Sequence, residues 1–162
     1  MPQVVARAWV GVPPALAFAV SQTTGEVRLR WDPFIRAQHL LDAERPGKDV
    51  RTVTRSRVGP VGGFRMVTRY VSYRPPTSVG MTMEEGPWFF ASFGGGWRFD
   101  AEAREGVEGT LATWKYTYAV RPRLLRPVAE PIGQRLLGRE ISARIEAFRR
   151  ACADPDVLSA AS

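Results

Sequence analysis

The residues able to do chemistry are few. His39 is the only histidine and Cys152 the only cysteine among 162 residues. One imidazole and one distant thiol do not make a metal site, and no Ser-His-Asp or Cys-His arrangement is suggested. Glu84 and Glu85 are adjacent, so on a strand they point to opposite faces and form no carboxylate pair. The stretch "GPVGGF" (59–64) lacks both the lysine and the strand-to-helix setting of a phosphate loop. What remains is proton transfer within a pocket, with His39 and the hydroxyls of Tyr70, Tyr116 and Tyr118 as the available groups. His39 and Tyr116 are the catalytic candidates, and Tyr116 doubles as a binding residue.

Such groups act only where a scaffold brings them together. Residues 4–11 alternate weakly and predict a first strand; Pro13 and Pro14 then suit the start of a short apolar helix over 14–22. Thr23 or Thr24 is placed to cap a second short helix, "GEVRLRW", which Trp31-Asp32-Pro33 ends. The period then changes to two, with strands expected over 34–44, 49–58, 64–74, 77–85, 88–100 and 109–121. Short turns between successive runs argue for an antiparallel meander. From Leu124 to about Ala153 the period becomes 3.6. Leu125, Val128, Ile132, Leu136, Leu137, Ile141, Ile145, Phe148 and Cys152 form one stripe, while Arg135, Arg139, Arg144, Arg149 and Arg150 mark the opposite face. Pro127 and Pro131 belong to the helix's first turns. The prediction is an α+β domain over 1–153, a curved antiparallel sheet of about seven strands with two short helices after strand 1 and the long C-terminal helix packed across its concave face. Residues 154–162 are expected to be a short flexible tail.

Composition bounds the partners. No apolar run approaches the roughly 18 residues a membrane span needs, and the N-terminal apolar stretch carries Pro13, Pro14 and an arginine, unlike a signal peptide. With its lone cysteine, the chain is expected in the cytoplasm. The net charge of +7 is nearly all arginine, lysine occurring only at positions 48 and 115. Arg51, Arg55, Arg57, Arg65 and Arg69 fall on one outer sheet face, a basic patch suited to a weak contact with an anionic surface. No specific nucleic-acid partner is expected.

Alternation assigns the inner face. Arg65 and Arg69 do not belong in an apolar core unpaired, so Phe64, Met66, Thr68, Tyr70 and Ser72 face inward, and Val67, Val71 and Tyr73 outward. Val79, Met81 and Met83 share a face; Trp97 and Phe99 point in with Arg98 out; Trp114, Tyr116, Tyr118 and Val120 point in with Lys115 out. His39 has the parity of Ile35 and would also point in. Phe64, Met66, Thr68, Tyr70, Met81, Met83, Trp97, Phe99, Trp114, Tyr116 and Tyr118 are therefore the candidate ligand-binding residues, apolar surface with a few convergent hydroxyls. Gly94, Gly95 and Gly96 interrupt an aromatic strand. They supply either a bend or bulge in a curling sheet or room for a ligand.

The order of elements resembles the START-like or SRPBCC superfamily, the helix-grip fold of the birch-pollen-allergen type. The resemblance runs from about residue 3 to residue 152. It is carried best by "GWRFDAEAREGVEGTLATWKYTYAV" and the helix "RPVAEPIGQRLLGREISARIEAFRR", which look like bacterial polyketide cyclase/dehydrase or lipid-transport members. The resemblance implies a deep cavity between helix and sheet holding a hydrophobic ligand, lipid or polyketide-like, with no cofactor and no metal. It also admits a cofactor-independent cyclase or dehydratase acting in that cavity, although no arginine falls on the inner face, unlike the arginine-containing pockets of polyketide aromatase/cyclases. A third reading is an interaction module using the basic outer face.

Overall fold

A computed structural model describes all residues, 1–162. The elements are β1 (Gln3–Val10), α1 (Pro14–Ser21), α2 (Gly25–Trp31), β2 (Ile35–Leu40), β3 (Arg51–Ser56), β4 (Arg65–Arg74), β5 (Ser78–Glu85), β6 (Phe90–Ala101), β7 (Thr110–Val120), a 3-10 turn (Arg123–Leu125), α3 (Arg126–Ala151) and α4 (Pro155–Ala161). The seven strands form one antiparallel sheet in the order β1-β7-β6-β5-β4-β3-β2. The meander from β2 to β7 pairs neighbours in sequence, and β1 closes onto β7, the last strand made. This is the expected helix-grip architecture, with α3 lying on the curled sheet.

Local sequence accounts for most boundaries. Pro14 opens α1, where its missing N–H has no partner to lose. Thr24 stands at the N-cap of α2 but its side chain makes no cap bond. Thr23 instead donates to the Val20 carbonyl at 2.7 Å and accepts from the Trp31 indole at 2.9 Å. Pro127 sits in the first turn of α3, and Pro131 lies inside it without ending it.

The core lies where the C-terminal half of α3 meets α1 and the β1–β7–β6 part of the sheet. Ile141, Ile145 and Phe148 of α3 pack with Phe18, Trp97, Phe99 and Trp114. The rings stack closely: Trp97 lies 4.1 Å from Trp114 and 4.8 Å from Phe148, centroid to centroid. The chain end differs from the expected flexible tail. Asp154 accepts a hydrogen bond from the Asp156 amide at 3.0 Å and caps α4, whose Val157 is buried in the core. This cap, with Val157, Leu158 and Ala161 packed on the core, docks the short segment.

Register shifts interrupt the ladder at four places, and two of them move residues off their expected faces. A register shift between Ile35 and Ala37 reverses the parity of β2, so Gln38 faces the interior and His39 is exposed on the outer face opposite Val53. A second shift between Tyr70 and Ser72 turns Tyr73 inward, where its ring meets Phe18 at 5.4 Å and Tyr70 at 5.7 Å. Each bulge inserts one residue and flips every side chain beyond it. The glycine run, by contrast, contains no bulge: β6 pairs with β7 without a break from Phe93 to Ala101.

The outer arginines are also less free than their pattern implies. Arg51 pairs with Asp42 at 2.9 Å, Arg65 with Glu85 at 2.8 Å, and Arg69 with Glu84. Three of the five charges expected to form a basic patch are thus neutralised by neighbouring carboxylates.

Candidate functional site

A cavity of about 590 Å³ lies between the concave sheet and the N-terminal two-thirds of α3. Strands supply its walls because alternate side chains of a curled sheet converge on the concave side. Phe64, Met66, Thr68, Tyr70, Met81, Trp97, Trp114, Tyr116 and Tyr118 line it, joined by Thr54, Ser56, Phe89, Phe90 and Phe93. Two of the expected residues lie elsewhere. Phe99 is core, stacked on Trp97 at 5.6 Å and edge-on to Phe18. Met83 lies beside Gly86 and Met66, outside the lining. His39, exposed on the opposite face, has no access to the cavity.

The glycines permit close approach rather than forming a bulge. A Cβ on Gly96 would sit 2.7 Å from the Val79 carbonyl oxygen, so neighbouring backbone crowds β6 too closely for a side chain. Gly95 pairs with Tyr116 and faces the cavity. A Cβ there would lie 3.4 Å from the Tyr116 ring, so its absence leaves the ring face open.

Polar groups collect at one end. Asp32, fully buried, accepts from Arg144 through Nε (3.1 Å) and Nη2 (2.8 Å), from Arg28 Nε (2.9 Å) and from the Phe34 amide (3.1 Å). Arg28 Nη1 also donates to the Ser21 carbonyl at 2.5 Å. Arg144 Nη1 donates to the Tyr116 hydroxyl at 2.5 Å, and that hydroxyl donates onward to Glu140 Oε1 at 3.2 Å. The Arg144 guanidinium lies over Trp114 at 4.3 Å and Phe34 at 4.8 Å; Arg28 lies over Trp31 at 4.4 Å. A planar cation stacked on rings and forked to a carboxylate keeps its charge when buried.

The charges set one another. Burial alone would raise the Asp32 pKa, but Arg144 and Arg28 together outweigh it and hold the group at about 2. Burial raises the Tyr116 phenol, against the pull of Arg144, so it stays protonated and remains a donor. Burial likewise raises Glu140 above the usual carboxylate range, again with Arg144 opposing. Tyr70, buried, is pushed up to about 12, and its hydroxyl donates to Gln22 Oε1 at 3.0 Å. The cavity thus ends in two fixed cations, one fixed carboxylate and one carboxyl group, Glu140, held nearer to neutrality. Tyr116 lies within hydrogen-bond reach of both kinds of charge.

Arg144 reverses the expectation that no arginine faces inward and that this one belongs to the polar side of the helix. The signal was its spacing. Leu137, Ile141, Arg144 and Phe148 follow steps of four, three and four, the repeat of the buried stripe. Asp32 read only as a helix stop, and nothing local marks it as the partner of a residue 112 positions away.

No curated protein matches the chain. Solved structures resemble it over nearly their whole length. TTHA0849 from Thermus thermophilus is 18% identical with a TM-score of 0.75, covering 99% of this chain and 100% of that one. A START superfamily protein from Mycobacterium smegmatis is 14% identical with a TM-score of 0.73, covering 93% and 97%. The protein XoxI from Bacillus cereus is 14% identical with a TM-score of 0.73, covering 96% and 99%. At these identities the likeness establishes the fold. Residues 1–153 match the family described as polyketide cyclase / dehydrase and lipid transport, and it is to this family that the chain belongs.

Proposed function

We propose that the protein binds an apolar or aromatic small molecule, lipid or polyketide-like, in the cavity between sheet and α3, with the ligand's polar group at the Tyr116–Glu140–Arg144 end. The observation that carries this reading is a concave space of about 590 Å³, within the range of small-molecule sites, with the charged groups Arg28, Glu140 and Arg144 gathered at one end. Apolar burial supplies affinity, at about 25 cal/mol per Å² before the costs of association. The hydroxyls of Tyr116 and Tyr70 supply orientation.

The test is native mass spectrometry of the protein purified from its own host, repeated after solvent extraction. A stoichiometric adduct that extraction releases supports the reading and names the compound class. Thr68→Phe, which projects a ring into the cavity, should abolish the adduct while the fold persists. An adduct unchanged in Thr68→Phe would move the ligand out of this cavity and refute the reading.

A second reading is favoured by one specific arrangement, the Tyr116 hydroxyl held between a cation and a carboxyl group. A cyclase or dehydratase needs a base for a proton beside a carbonyl and donors for the oxyanion that forms. Glu140 would take that proton, and the electron pair would move onto the carbonyl oxygen, stabilised by the Tyr116 hydroxyl backed by Arg144. Tyr116→Phe and Glu140→Gln should then remove turnover of a bound polyketone while its binding survives. Equal turnover in both variants would leave binding as the whole activity.

A further inference from the structure

The rim of the cavity carries apolar side chains that are exposed rather than packed. Trp88, Val58, Leu125, Ile132 and Leu136 all line the cavity, yet each is mostly exposed. Val61 extends the Val58 segment outward, and Leu124 and Val128 the Leu125 segment; Trp88 is 76% and Leu124 91% exposed, and Val61 is wholly so. Eight of the chain's thirteen exposed large hydrophobics thus fall on the β3–β4 loop, the β5–β6 loop and the start of α3. Isolated exposed apolar residues are ordinary, but a cluster around one opening marks an interaction site.

The unpaired charge beside this rim is positive, since Glu84, Glu85 and Glu130 each have an arginine partner. Arg121 just after β7, Arg123 on the 3-10 turn, and Arg135 and Arg139 on α3 flank it, are exposed, and form no ion pair. Arg126 reaches Glu130 only at 3.7 Å. Arg135 and Arg139 follow Val128 and Ile132 by seven residues, two turns along the same side of α3, and so do not lie opposite these stripe residues as expected. The outer sheet face differs, because there most of the arginines meet carboxylates.

We propose that the cavity mouth docks on an anionic lipid surface, with Trp88, Val61 and Leu124 inserted among the acyl chains and Arg121, Arg123, Arg135 and Arg139 at the headgroups. Apolar tips projecting from three separate segments suit a deformable partner, and unpaired arginines beside them complement its charge. An indole at the tip has the amphipathic character that favours a membrane interface. The docking stands whatever the cavity holds.

The test is co-sedimentation of the full chain with phosphatidylcholine vesicles, with and without phosphatidylglycerol. Binding should require phosphatidylglycerol and weaken as salt is raised. Each arginine near a charged surface contributes about fivefold, so Arg123→Gln with Arg135→Gln should weaken binding about 25-fold. Trp88 is the most exposed of the five tryptophans, so brominated acyl chains should quench emission in the native protein and not in Trp88→Ala. These side chains are exposed, so the variants should keep the native melting temperature. The proposal is overturned by absence of binding to phosphatidylglycerol vesicles or by undiminished binding of Trp88→Ala with Leu124→Ser. It is also overturned by Trp88-dependent binding to an acidic polypeptide with none to vesicles, which would make the rim a protein-docking surface. A cavity adduct that survives in Arg123→Gln with Arg135→Gln, two positions outside the cavity lining, would separate failure here from failure of the ligand-binding reading.

Discussion

Replacing Arg144 with methionine tests whether the buried charge cluster holds α3 to the rest of the fold. Methionine keeps most of the side chain's length and its contact with Trp114 while removing the charge. Asp32 loses two of its four hydrogen bonds and the larger of its two charge partners, and the Tyr116 hydroxyl loses its donor. Removing one partner of a buried pair costs about 3–5 kcal/mol. Arg28 and the Phe34 amide still serve Asp32, which places the loss near the lower end, about 3 kcal/mol. For a chain of this size that is a fall of about 6–12 °C in melting temperature.

The pH dependence sharpens the test. In the native protein Asp32 titrates at about 2, below its ordinary 3.8, which corresponds to about 2 kcal/mol of stability. That contribution is present above pH 4 and is lost as pH falls through about 2. Without Arg144, burial becomes the larger influence and the carboxyl is raised instead, so protonation on acidification stabilises the variant. The stability gap between Arg144→Met and the native chain should therefore be widest at pH 7 and narrow towards pH 4, read by urea denaturation at both values. Asp32→Asn should partly rescue Arg144→Met, since it removes the charge left unbalanced. A gap that is the same at both pH values, or an additive double variant, would refute the reasoning.

Three further outcomes are expected. Gly96→Ala places a Cβ against the Val79 carbonyl oxygen and should cost about 2 kcal/mol in a denaturant melt, a loss that a surface glycine such as Gly138, with open space around it, would not show. The Cys152 thiol is buried and pushed up to about 12 by that burial, so labelling by a thiol reagent at pH 8 should be slow in native protein and rapid in denaturant. Asp154→Ala removes the cap of α4 and an ion pair to Arg30 at 3.2 Å, and should cost about 1 kcal/mol while increasing amide exchange across residues 155–161.

The chain's own periodicity determined the architecture. A switch from period two to period 3.6, with prolines and glycines at the joints, is a local property, and the strands and helices lie within a few residues of where that pattern puts them. Where a strand runs without interruption, parity also located its cavity-facing side chains: Trp114, Tyr116 and Tyr118 of β7 sit as alternation requires. His39 and Tyr73 were misplaced for one reason. A bulge is set by how neighbouring strands share hydrogen bonds in a curling sheet, and polar–apolar alternation carries no mark of it. Phe99 and Met83 show a related gap, since facing inward does not distinguish core from cavity until α1 and α3 are packed against the sheet.

The meeting of charges at the polar end of the cavity belonged to tertiary structure. An arginine is read as solvent-facing because burying an isolated charge is costly. Arg144 is buried because Asp32 after α2 and Trp114 and Tyr116 of β7 meet it there from two other parts of the chain. A charge becomes tolerable inside only when its partners arrive together, and that simultaneous meeting is decided by the packed fold.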